Sequence, residues 1–413
     1  MYDLAIIGTG ASGIACAKHA LKYGLKTVLF DIEKAAFGGT CINRGCIPAK
    51  FLINSSKLSK SWPDNFKQKN DTVLKIKKST LDYLEKSGIK VIWSRVSFLD
   101  KHTLIVNGEK IEAKNIIIAT GSRPKPLFSH PKAMFAEDLF LKENIGENFL
   151  IVGAGYIGIE FASLLNSLNK RVTIVEKEEN ILPFFDRNIT GRLRILLEKK
   201  GIKIDTASDI KNYDLDSFDN VILSVGRMPN IESLDALKIG IFFDKGGWIK
   251  TDNSMKTNIE NIYACGDITG KKLLAYIAEY QAKICVDNIM GKNAKEDYRA
   301  ISDCVFSLPS VAKVGILEEE AKTKNIKFRS VKSNFFKFSS SYVYNDQDGF
   351  MQVLVDEEDR IIGAGIISFI AAELISIFSY AMQNNLKINT LKDCIFIHPT
   401  LSEIIPALLR ELS

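Results

Sequence analysis

Cys41 and Cys46 are separated by four residues in Gly38-Gly39-Thr40-Cys41-Ile42-Asn43-Arg44-Gly45-Cys46-Ile47-Pro48-Ala49-Lys50. The separation is short enough for a disulfide, with Gly45 permitting a turn between the two sulfurs. Pro48 suits the first turn of a helix, where its missing N–H costs nothing. Cys46 would then lie at a helix N-terminus, whose partial positive charge favours a thiolate. Lys50, four residues on, falls on the same helical face. Two cysteines, one of them electrostatically activated, read as a redox dithiol. Zinc would need about four ligands. Cys16, Cys265, Cys285, Cys304 and Cys394 are isolated in the sequence and there are only four histidines, so no metal site is expected. A purely structural disulfide would suit an oxidising compartment and further paired cysteines.

Such a dithiol needs an electron partner, and the flanking elements supply sites for two. Asp3 to Ile7 reads as a strand and Gly8-Thr9-Gly10-Ala11-Ser12-Gly13 as the turn into a helix ending near Tyr23. A second strand, Thr27 to Phe30, ends in Asp31. This is a dinucleotide-binding fingerprint in its required context. Gly8 permits the turn, Gly10 the approach of a pyrophosphate, and Gly13 the packing of helix on strand. Asp31 is placed to accept from a ribose. The device recurs: strand Asn148 to Val152, then Gly153, Gly155 and Gly158, a helix, and strand Arg171 to Val175 ending in Glu176. Asp31 and Glu176 each lie 23 positions after the first glycine of their copy. Two dinucleotides are expected.

Between the copies, 55–87 is lysine-rich and predicted helical, and Lys90 to Val106 reads as hairpin-like strands. Asn115 to Ala119 is a buried strand running into Thr120-Gly121-Ser122-Arg123-Pro124. Val221 to Val225 runs likewise into Gly226-Arg227-Met228-Pro229, and Ile262 to Cys265 into Gly266-Asp267. Continuous apolar runs of this kind are buried parallel strands. From about Asp303 the pattern becomes alternating strands (Phe350 to Val355, Ile361 to Ser368) with helices, a third, α+β unit.

The 413 residues suffice for two or three full cores. A hydrophobic share of 46%, a charged share of 25% and a mean hydropathy near zero describe an ordinary soluble protein. The net charge of +6 is spread along the chain, which argues against nucleic acid as a partner. The longest apolar stretch, Ile361 to Ala372, is too short to span a bilayer. Leu4 to Ile7 lacks the basic flank of a signal sequence. No membrane association and a cytoplasmic location are expected.

With these residues in hand, the chain resembles the FAD-dependent pyridine nucleotide–disulfide oxidoreductases, and among them the dihydrolipoamide dehydrogenases most closely. The likeness covers nearly the whole length. It rests on GGTCINRGCIPAK, both glycine fingerprints, ATGSRP, ACGD and His398-Pro399-Thr400-Leu401-Ser402-Glu403. It implies an α/β fold with two Rossmann-like dinucleotide-binding domains and a C-terminal α+β dimerisation domain. An FAD domain (1–145, completed by 262–302) carries the dithiol, an NAD domain covers 146–261, and a dimerisation domain covers 303–413. FAD would rest on Gly8, Gly10, Gly13, Asp31, Gly39, Thr40, Thr120, Gly121, Gly266 and Asp267, the last beside the ribityl chain. NAD would rest on Gly153, Gly155, Gly158, Glu176 and Gly226. Cys46 resembles the thiol that touches the flavin and Cys41 the one that exchanges with substrate. Lys50 resembles the lysine near flavin N5, with Glu160 its ion-pair partner. His398 and Glu403 resemble a catalytic pair contributed across a homodimer interface, with a cis peptide before Pro399.

The activity so implied is NAD+-linked oxidation of dihydrolipoamide, free or carried as a lipoyl group in a 2-oxoacid dehydrogenase complex. The alternative is a reductase of another small disulfide such as glutathione. Glu176 argues against that, because a 2′-phosphate calls for arginine. A non-catalytic flavoprotein subunit would have lost one of these groups, and all are present. The chain departs from typical members by shortening after Lys50 and between Gly201 and Val221. It also has Phe396 where a histidine is common, and Arg44 and Ala49 beside the cysteines.

Overall fold

Leu4, Ala5 and Ile6 are fully buried in β1 (Tyr2–Ile7), the first strand of a parallel sheet. In the computed structural model, which describes residues 1–58 and 61–412, the chain turns at Gly8 into α1 (Ala11–Leu21) and β2 (Thr27–Asp31). A Cβ on Gly13 would stand 1.8 Å from the Gly8 carbonyl oxygen, so only glycine lets this helix close on its strand.

Next come α2 (Gly39–Arg44), α3 (Cys46–Ser55) and α4 (Trp62–Lys86). The helix expected over 55–87 begins at Trp62, where Ser61 accepts from the Asp64 N–H and Pro63 occupies the first turn. Residues 59–60 of that stretch, and Ser413, lie outside the described residues. The strands β3 (Lys90–Trp93), β4 (Val96–Phe98), β5 (Thr103–Val106) and β6 (Glu109–Ile118) follow. The hairpin expected over Lys90 to Val106 is corrected in part. β3 pairs parallel with β2 at the sheet edge, whereas β4, β5 and the start of β6 form the antiparallel meander. The remainder of β6 pairs parallel with β1.

Then come β7 (Ser122–Pro124), β8 (Ala133–Phe135), β9 (Asn148–Val152), α5 (Tyr156–Ser167), β10 (Arg171–Val175), α6 (Arg187–Lys199), β11 (Lys203–Asp205), β12 (Asn220–Leu223) and β13 (Arg227–Pro229). A second parallel sheet has the order β11-β10-β9-β12-β8. A Cβ on Gly158 would lie 1.9 Å from the Gly153 carbonyl oxygen, the Gly13 contact over again. The shortened stretch before β12 holds two single 3₁₀ turns, Ile210–Asn212 and Leu215–Ser217. Ile210, Tyr213, Leu215 and Phe218 pack there over Leu150, Val152 and Val221, so the sheet face stays covered. β7 and β13 pair with each other as a separate antiparallel ribbon.

β14 (Ile262–Ala264) returns to the first sheet beside β6, and α7 (Ala275–Ile289) packs on α1. The rest comprises β15 (Ser302–Val305), β16 (Ser310–Gly315), α8 (Glu318–Thr323), β17 (Arg329–Asn334), α9 (Ser339–Val343), β18 (Phe350–Val355), β19 (Ile361–Ser368), α10 (Ala371–Gln383), α11 (Ile388–Lys392) and α12 (Ile404–Leu409). Its antiparallel sheet runs β15-β16-β19-β18-β17. Met351, Val353 and Ile366 face α10 and α12, and Phe350, Leu354 and Ile367 join a core shared with Ile189 and Leu193 of α6. The fold is α/β with an α+β C-terminal part, as expected.

Two glycines should answer oppositely to alanine. Gly13→Ala should give little soluble, flavin-loaded protein. Gly191, exposed within α6 with nothing within 4 Å of a built Cβ, should gain about 0.5–1 kcal/mol as alanine. A fall in the thermal midpoint of Gly191→Ala would refute this reading of α6.

Candidate active site

Cys41 sits in α2, Cys46 is the first residue of α3, and Gly45 makes the break between them. A Cβ on Gly45 would lie 2.9 Å from the Thr40 carbonyl oxygen, so the dithiol turn has no room for a side chain. Both cysteines and Lys50 line a cavity of about 1670 Å³. The hydrogen bond from Cys41 lowers the Cys46 thiol to about 7, with Lys50 adding to the effect against burial and Glu160. The same bond, with burial, raises Cys41. The pair therefore carries its negative charge on Cys46. Lys50 Nζ bonds Glu160 Oε2 at 2.6 Å and lies 4.6 Å from the centre of the Phe306 ring. Glu160 Oε1 accepts from the Phe306 N–H at 3.0 Å.

Each nucleotide-type turn is tied to its own carboxylate in the same way. Asp31 Oδ2 accepts from the Thr9 N–H at 2.9 Å and from the Thr9 hydroxyl, and Oδ1 from the Ile32 N–H at 2.7 Å. Glu176 Oε2 accepts from the Ala154 N–H at 2.6 Å and Oε1 from the Glu178 N–H at 2.9 Å. Neither α1 nor α5 has a side-chain cap, so their first N–H groups are free for an anion. A Cβ on Gly10 would meet only Gly39 Cα, at 3.9 Å, and one on Gly155 would meet nothing within 4 Å. Phosphate can thus approach both turns, and the residues present fit two dinucleotides.

The expected residues gather unevenly. Gly8, Gly10, Asp31, Gly39, Thr40, Thr120, Gly121, Gly226 and Asp267 line the large cavity with the dithiol, and Tyr156 and Glu160 enter it from α5. Gly13 and Gly266 do not line it. Nor do Gly153, Gly155, Gly158 and Glu176.

Sequence reasoning missed Ser122 and Arg227. The Ser122 hydroxyl donates to Asp267 Oδ2 at 2.5 Å and accepts from Arg227 Nε at 2.7 Å, and Arg227 also reaches Glu137 at 3.6 Å. Burial pushes the Asp267 carboxyl up, and Ser122 and Arg227 pull it back. The signal was the recurrence of TGSRP and VGRMP, which pair across β7 and β13 with Arg227 opposite Pro124, Met228 opposite Arg123 and Pro229 opposite Ser122. Cys304 and Tyr276 were also missed as cavity residues. Burial pushes the Cys304 thiol up to about 12, so it is no second thiolate.

His398 Nδ1 pairs with Glu403 Oε2 at 2.8 Å, and the His398–Pro399 peptide is cis. The histidine side chain is 72% exposed, and neither residue lines the cavity. Among the described residues no group of three or more His, Cys, Asp or Glu could hold a metal ion, and no helix is long and apolar enough to cross a membrane.

An activated dithiol in one cavity with a glycine turn open to phosphate, and a second such turn off that cavity, define a class: flavin-linked oxidoreductases acting on sulfur. Residues 2–282 match the family described as pyridine nucleotide-disulphide oxidoreductase and residues 301–408 its dimerisation domain, and the chain belongs to this family. Its cofactors are FAD and NAD(H). The dihydrolipoyl dehydrogenase of Chlamydia trachomatis is 32% identical over 98% of this chain and 95% of its own length. That of Bacillus subtilis is also 32% identical, over 97% and 94%. The HOCl-induced flavoprotein disulfide reductase RclA of Escherichia coli superposes with a TM-score of 0.93 at 28% identity, covering all of both chains.

Proposed function

We propose that the chain is a cytoplasmic, homodimeric dihydrolipoamide dehydrogenase. The observation that carries this reading is a thiolate-prone Cys46 sharing one cavity with Lys50, Glu160 and the first glycine turn. The likeness to two dihydrolipoyl dehydrogenases over nearly their full lengths supports the choice of substrate. In this reading 1–145 with 262–302 holds FAD, 146–261 holds NAD and 303–413 forms the dimer. Asp267, positioned by Ser122 and Arg227, takes the ribityl chain, and Asp31 and Glu176 take the two riboses.

A thiolate of dihydrolipoamide attacks Cys41 of the oxidised pair, and Cys46 leaves as the thiolate. His398, oriented by Glu403, takes the substrate proton and holds it while the second substrate sulfur displaces Cys41. Lipoamide leaves, and both electrons stay on the dithiol. Bound FAD supplies the two-electron relay to NAD+. Lys50, fixed by Glu160, keeps a positive charge beside that relay. The substrate in this reading is dihydrolipoamide, free or carried as a lipoyl group in a 2-oxoacid dehydrogenase complex.

A second reading, an NAD(P)H-linked reductase of another disulfide, is favoured by the superposition on RclA. Assaying the protein with dihydrolipoamide and NAD+, and with NADH or NADPH and oxidised glutathione, decides between them. Turnover confined to glutathione would remove the first reading. Glu176, followed by Glu178 and Glu179, should repel a 2′-phosphate. The expected preference for NAD(H) over NADP(H) is at least about tenfold in kcat/KM, which corresponds to only about 1.4 kcal/mol. Equal values would overturn the role given to Glu176.

A further inference from the structure

Three cysteines that stand far apart in the sequence meet in the interior behind the first glycine turn. Cys16 lies on α1, Cys265 follows β14 and Cys285 lies on α7, and each is fully buried. Cys16 Sγ and Cys265 Sγ are 3.6 Å apart across 249 residues of chain. Cys16 otherwise has only the Ala282 carbonyl at 3.9 Å, and Cys285 only the Ala264 carbonyl at 4.0 Å, besides their sulfur neighbour. The trio is not a metal centre. Two sulfurs already in van der Waals contact need to close by about 1.5 Å to reach a bond of about 2.05 Å.

The location gives that bond a consequence. α1 begins at the Gly8–Gly13 turn, and Cys265 leads directly into Gly266 and Asp267. These two segments are packed closely, since a Cβ on Gly266 would lie 2.7 Å from Ser12 Oγ. They are opposite sides of the FAD cradle, a statement that rests on the FAD assignment made above. We propose that Cys16 and Cys265 form a second, non-catalytic disulfide under peroxide, and that it clamps the cradle shut on FAD. Two thiols and one hydrogen peroxide give one disulfide and two waters. The S–S bond forms, the O–O bond breaks, two electrons pass from sulfur to peroxide oxygen, and both thiol protons leave in water. Burial makes this slower than oxidation of Cys41 and Cys46, so the clamp closes only after the catalytic pair is already oxidised.

The test uses the holoenzyme treated with hydrogen peroxide. It is then unfolded in N-ethylmaleimide, digested without reduction and mapped by mass spectrometry. A Cys16–Cys265 peptide pair is expected beside Cys41–Cys46. FAD release, followed by flavin fluorescence, should slow at least tenfold relative to dithiothreitol-treated protein. Cys16→Ala should keep turnover and lose the slowing, and Cys285→Ala should keep both the link and the slowing. The proposal falls if peroxide leaves Cys16 and Cys265 as alkylatable thiols, if Cys265 links to Cys285, or if oxidised wild type and Cys16→Ala release FAD equally fast. The peptide map reads the bond without reference to FAD, so a failed cofactor assignment would appear separately, as purified protein that carries no flavin whether or not the link forms.

Discussion

Mixing inactive Cys41→Ser protein with inactive His398→Ala protein, under conditions that exchange subunits, should restore about one quarter of wild-type activity. The geometry behind this is the separation of the two halves of the chemistry. Cys41 and Cys46 line the cavity, whereas His398 is 72% exposed and, with Glu403, off its wall. Ile395 and Ile397, beside it, are 97% and 78% exposed, an apolar surface that a second subunit would cover. In a two-fold dimer each site would take its histidine from the other chain. A random 1:1 mixture makes half of the dimers mixed, and each mixed dimer has one site with an intact dithiol and an intact histidine, giving about a quarter. Sedimentation checks that mixed dimers formed. If they form and no activity returns, His398 serves its own chain.

The two cysteines should fail differently. Cys41→Ser should lower turnover by at least about a thousandfold, because no sulfur is left to receive the substrate. The Cys46 thiolate should survive beside bound flavin and show a long-wavelength absorption band. Cys46→Ser should lose turnover and band together. In wild-type enzyme holding two electrons, the band should fade as pH falls through about 7, where the Cys46 thiolate takes up its proton. The sign follows from the lowered thiol: the charged form prevails above that pH and is lost below it. A band that persists in Cys46→Ser and vanishes in Cys41→Ser would exchange the two roles.

What could be read in the sequence was local. The β1–α1–β2 and β9–α5–β10 units follow from apolar runs, glycines at fixed offsets and a carboxylate 23 positions on, all within about 30 residues. The start of α3 at Cys46 follows from Gly45 and Pro48. Pairings that no short window contains were not legible. β3 lies beside β2 because an edge of the first sheet is open to it, and nothing in Lys90 to Trp93 distinguishes that from a hairpin. The ribbon of β7 and β13 joins segments about a hundred residues apart, so the recurrence of SRP and RMP was visible but their contact was not. The cluster of Cys16, Cys265 and Cys285 has the same cause, since cysteines carry no mark of which sheet end they will meet.

Glu160 has a consequence for how such a chain can be inherited. It stands on α5, receives Lys50 from α3 through one oxygen, and receives the Phe306 N–H after β15 through the other. One carboxylate thus registers three stretches that lie far apart in the chain. A recombinant that took residues 146–261 from a distant relative would bring its own angle of approach for that carboxylate, and the redox helix and the C-terminal sheet would be displaced together. Exchange of parts among relatives is therefore constrained at this side chain as well as at the core that α6 shares with the C-terminal sheet, and a graft is expected to succeed only where donor and recipient place both alike.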